Sequence, residues 1–245
     1  MESTKQMARH AGLLYTLACI TAPFALIYVP STLLVPGDAT ATANRVRDSE
    51  TLLRVGIACE LIGPTLLIFA VLAFYRLFKG VSEKHALAMA ALILVSIPIS
   101  FLNVLNAIAA LVLASGAHFL SAFDRHQLDA LVMLFLRLHN QGLIVASIFW
   151  GLWLFPLGIL VMRSGFIPRI VGVLLIVAGS GYLVSSFTSL LLPQYARLVS
   201  QFAMALETGE LPFILWLLIW GAKEQRSGRG GSMQQGVGDR SAPGP

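Results

Sequence analysis

From Phe135 to Gly172 the chain reads a polar cluster (Arg137, His139, Asn140, Gln141), a long and almost uninterrupted apolar run, a break at Arg163-Ser164-Gly165 and Pro168-Arg169, then a second apolar run. A run of about 20 apolar residues is what a helix needs to cross the ~30 Å hydrocarbon core of a bilayer. Inside lipid every backbone N–H and C=O must be paired within the protein, so such runs are helices. Strands of a membrane barrel would read as alternating segments of about 10 residues, and the sequence has none. The same pattern recurs along the chain, which is 57% hydrophobic and only 12% charged. That balance lies outside the range of soluble domains. The fold class expected is all-α, an integral membrane six-helix bundle with both termini cytoplasmic.

The spans expected are about 11–29, 52–77, 86–115, 141–162, 167–192 and 200–221. The fourth helical pattern runs from Arg125 to Met162, far longer than a crossing requires, so 125–140 is read as an extracytoplasmic extension of span four. Asp124 with Gln127 three residues on forms a capping-box pattern at its start. Ala39–Asp48, after the turn Pro36-Gly37-Asp38, is read as a short amphipathic surface helix. Residues 223–245, rich in Gly, Ser and Pro, are read as a disordered cytoplasmic tail.

The net charge of +5 raises a nucleic-acid partner, but the basic residues sit in turns between apolar runs rather than in a patch with exposed aromatics. With the N-terminus inside, eleven of the 17 Lys and Arg residues fall on the cytoplasmic side and six outside, as the positive-inside rule requires. Localisation in the cell membrane follows, with the lipid bilayer as partner, a small-molecule ligand as candidate and no nucleic acid. Cys19 and Cys59 lie in different apolar runs and read as small apolar residues without a disulfide. No CxxC or HExxH spacing occurs, so no metal or cofactor is expected.

Several landmarks occur together: Arg9-His10-Ala11-Gly12-Leu13-Leu14-Tyr15, Val35-Pro36-Gly37-Asp38-Ala39, Ser49-Glu50-Thr51-Leu52, Leu138-His139, Arg163-Ser164-Gly165-Phe166-Ile167-Pro168-Arg169 and Gly209-Glu210-Leu211. In these the chain resembles the bacterial membrane family known as domain of unknown function 4386, over most of its length to about Ala222. The resemblance implies a prokaryotic multi-span protein of the cytoplasmic membrane. It brings no activity and no catalytic residue.

Ionisable side chains inside a span cost about 2.5–3.5 kcal/mol each on insertion scales and therefore face the bundle interior. Counting ~1.5 Å per residue from each cytoplasmic basic marker puts Glu60 roughly 24 Å up and Glu210 roughly 20 Å. On the same count Tyr182, Ser185 and Ser186 lie roughly 20–26 Å up, Asn103 and Asn106 roughly 28–33 Å, and His139 and Arg137 roughly 36–39 Å. Five spans thus bring polar groups into one half of the membrane. This points to an outward-facing pocket with Glu60 and Glu210 at its floor, either Glu a candidate proton carrier, and His139 and Arg137 at its rim. Arg137 is the expected anion anchor. Asn103, Asn106, Ser185 and Ser186 can equally serve as hydrogen bonds and close contacts between helices. Three functions remain open: binding or transport of a small polar or amphipathic molecule, a structural or interaction role, and an intramembrane metal-dependent enzyme, for which His118, His126 and His139 with Glu60 or Glu210 are the candidate zinc ligands.

Overall fold

A computed structural model of the protein describes residues 4–221, and the tail expected at 223–245 lies outside them. The described residues are helical, with no strand. Six helical stretches are long and apolar enough to cross a membrane: Lys5–Leu33, Glu50–Phe78, Glu83–Ala114, Arg125–Ser164, Arg169–Leu191 and Pro193–Ile219. We refer to them as spans one to six. The protein is a multi-pass membrane protein with an all-α six-helix bundle.

Span one comprises α1 (Thr4–Ile20), a π-helical turn (Pro23–Tyr28) and α2 (Val29–Leu33). The amphipathic α3 (Ala39–Asp48) follows, started by the Asp38 carboxylate accepting from the Ala41 N–H at 2.8 Å. Gly37 takes φ +82° in the turn before it, a conformation that costs glycine little. Spans two and three are α4 (Glu50–Phe78) and α5 (Glu83–Ala114). Span four is α6 (Arg125–Leu152) and α7 (Leu154–Ser164), interrupted at Trp153. Asp124 and Gln127 close a capping box at its start, with bonds of 2.9 and 3.0 Å. Gly165, at φ +71°, ends α7 in the left-handed cap that lets the chain turn back into α8 (Arg169–Leu191), span five. Span six joins α9 (Ala196–Glu207) to α10 (Leu211–Ile219) through the 3₁₀ turn Thr208–Glu210.

Each span packs on the next, and α10 returns to α1, so the six close into a ring in chain order. The seams are set by small residues. A Cβ on Gly151 would stand 2.8 Å from the Gly179 carbonyl, and one on Gly158 would stand 2.7 Å from that of Gly172. Two glycine pairs, seven residues apart on both helices, thus bring the backbones of spans four and five together, which lipid-embedded helices need because water supplies no drive for their association. Arg9 Nη2 donates to the Ile219 carbonyl at 3.0 Å, so the first and last described helices end on the same face of the bundle.

Two apolar clusters fill the ring. At the α1 end, the Tyr15 ring sits edge-on to Phe74, Trp153 and Phe213, at centroid separations of 5.5, 5.7 and 6.4 Å. At the other end, Ala43 and Val46 of α3 are buried with Leu33, Leu53, Leu111 and Val132. An Arg47–Asp129 ion pair pins α3 to α6, with Asp129 1% exposed. Between the clusters the ring is hollow.

Candidate functional site

The hollow is a cavity of about 220 Å³ to which all six spans contribute. Tyr15 and Cys19 come from span one, Cys59 and Glu60 from span two, Ser96 and Ser100 from span three. Trp150 and Trp153 come from span four, Tyr182 from span five and Glu210 from span six. Most of the remaining wall is Ala, Leu, Ile, Gly and Pro.

The two carboxylates are held differently. Glu60 Oε2 lies 2.7 Å from His139 Nε2, with the side chains 11% and 9% exposed. This bond joins span two to span four across the ring. Behind it, Asn103 Nδ2 donates to the His139 carbonyl at 2.8 Å, and Asn106 Nδ2 donates to Asn103 Oδ1 at 3.1 Å. Glu210 accepts from the Tyr15 hydroxyl, and Tyr182 lies beside the same carboxylate. Glu207, one turn earlier, adds negative charge near it, and among the described residues no Lys, Arg or His is paired with it.

The helices are irregular at this level. Pro23, Pro64, Pro98, Pro156 and Pro212 each lie within three residues of a cavity-lining position. A proline inside a helix has no N–H to give the carbonyl four residues back. In lipid such interruptions persist only where protein or a cavity shields them. The π turn that begins at Pro23 puts Ala22, Ala25 and Leu26 on the cavity wall. Discontinuous helices around a midplane site are also how many transporters hold their substrates.

Of the residues singled out from sequence, Glu60, Glu210 and Tyr182 line the cavity together. His139 stands behind Glu60, while Asn103 and Asn106 spend their amides on the protein itself. Ser186 bonds Ser147 at 2.7 Å between spans five and four. Arg137 is exposed and outside the cavity. It is two residues from the buried His139, and residues i and i+2 of a helix do not share a face. The rise count separates Glu60 from His139 by roughly 12 Å. That count treats helices as straight and upright, whereas span four is broken at Trp153 and span two carries Pro64. Tyr15, Cys19, Cys59 and the two tryptophans also line the cavity, although residue type alone does not mark them. The prolines inside the apolar runs were the signal that marked their level. Among the described residues, no three His, Cys, Asp or Glu side chains come together to hold a metal ion.

The family model described as domain of unknown function (DUF4386) matches residues 10–221. The chain is also 36% identical over 76 residues to an uncharacterized protein of Archaeoglobus fulgidus, a match covering 31% of this chain and 44% of that protein. The chain thus spans less than half the length of that relative. No solved structure matches the chain.

Proposed function

The chain belongs to the DUF4386 family, and from that premise we propose that it binds or transports a small polar or amphipathic molecule in the axial cavity of its bundle. The observation carrying this reading is the convergence of Glu60 and Glu210, from spans two and six, on one hollow of about 220 Å³. Ionisable groups at such depth are costly to insert and mark ligand or ion pathways. A bundle that needed only to fold would close this space with apolar side chains, since voids sacrifice packing contacts.

With the positive-inside bias, the same reading places both termini in the cytoplasm and the α3 end outside, in the cell membrane. The test is Glu60→Gln and Glu210→Gln in reconstituted protein. Ligand binding or flux should change while expression stays largely intact. A change in stability alone would instead favour a scaffold or interaction protein. Stoichiometric metal in the purified protein would favour an intramembrane enzyme.

A further inference from the structure

We infer that the guest of this cavity is an organic cation, a compact amine carrying an apolar body, with Glu210 as its counter-ion; this rests on the cavity being a ligand site. Three observations converge. The first is charge. Glu60 and Glu210 line the space, and among the described residues no Lys, Arg or His does. Glu60 has His139 as a partner, but Glu210 has, among the described residues, the Tyr15 and Tyr182 phenols beside it, with Glu207 adding negative charge nearby. Among the described residues its carboxylate has no positive partner, and a cationic guest supplies one.

The second is the wall. Tyr15, Trp150, Trp153 and Tyr182 border the cavity, and aromatic faces attract ammonium groups by their quadrupole, the more so when water is excluded. An anion would meet those faces and two carboxylates unfavourably. The third is size. An engineered apolar cavity of about 150 Å³ takes up benzene. A hollow of about 220 Å³ therefore suits one ring or a short branched chain plus an amine, not an extended lipid.

The experiment compares benzylamine, benzyl alcohol and benzoate, matched in size, by thermal stabilisation of the full chain in nanodiscs. Benzylamine should bind at least about tenfold more tightly than benzyl alcohol, the increment of a charge-assisted hydrogen bond, and benzoate should bind weakest. Glu210→Gln should erase the amine's advantage while leaving the alcohol bound. Equal binding of amine and alcohol, or preference for benzoate, overturns the cation assignment and leaves the cavity a ligand site. Binding of none of the three overturns both readings. Because the ranking is read on the unmodified chain, a poorly folding Glu210→Gln leaves the inference testable.

Discussion

His139 on span four and Glu60 on span two are joined through Nε2 and Oε2 at 2.7 Å, although span three lies between their helices in the ring. A bond between spans that are not neighbours in the ring is a strut across the bundle. Both side chains are nearly enclosed, so either left alone faces a desolvated void. His139→Ala should lower stability by about 1–3 kcal/mol, the cost of an unsatisfied buried polar partner. A double-mutant cycle of Glu60→Gln with His139→Gln should return a coupling of about 0.5–3 kcal/mol. Additive effects would show that the strut carries no energy.

Tyr15 serves two layers at once. Its ring lies edge-on to Phe74, Trp153 and Phe213, and its hydroxyl donates to Glu210. Tyr15→Phe keeps the ring and removes only the donor. It should cost about 1 kcal/mol in stability and alter ligand affinity by more than Tyr75→Phe, whose ring lies outside the cavity lining. Comparison of melting temperature with ligand-induced stabilisation in the two variants checks this.

Gly142 faces Asn103 so closely that an added Cβ would stand 1.9 Å from Asn103 Oδ1. Gly142→Ala must therefore push Asn103 off the His139 carbonyl. Overpacking of this kind costs about 1–3 kcal/mol. Gly142→Ala combined with Asn103→Ala should recover part of that loss, as read by chemical or thermal unfolding.

The Arg47–Asp129 pair is asymmetric, with Arg47 23% exposed and Asp129 1%. Asp129 Oδ2 has no hydrogen-bond partner, so Arg47 is the group that makes its burial tolerable. Arg47→Ala leaves a buried charge unpaired, and such losses run to about 3–5 kcal/mol. Asp129→Asn leaves an arginine able to reach solvent along its flexible stem. Arg47→Ala should therefore destabilise more, and should raise proteolysis between α2 and α4 by loosening α3. Equal effects would contradict this.

The helices were legible in the sequence because lipid leaves an apolar run no other way to satisfy its backbone. The capping box at Asp124 and the turn at Gly165 were legible because their chemistry is local. Ring order and the meeting of Glu60 with His139 were not, since they depend on bends that a rise count ignores. Tyr15 illustrates a different limit. An isolated tyrosine in an apolar run reads as packing, and only the arrival of Glu210 from the far end of the chain gives its hydroxyl a partner. Arg137 stands outside the cavity lining, since a one-dimensional count gives height and not direction around the helix.

A ligand function requires that a guest occupy the cavity that Glu60 and Glu210 line. Ser96 is fully buried and borders that space from span three, so Ser96→Leu adds bulk at its wall while both glutamates are kept. The deciding measurement is ligand-induced thermal stabilisation of Ser96→Leu against the parent, using the tightest binder among the size-matched probes. Ser96→Leu should fold and lose its stabilisation by that probe. A folded Ser96→Leu protein stabilised as strongly as the parent would contradict the ligand function.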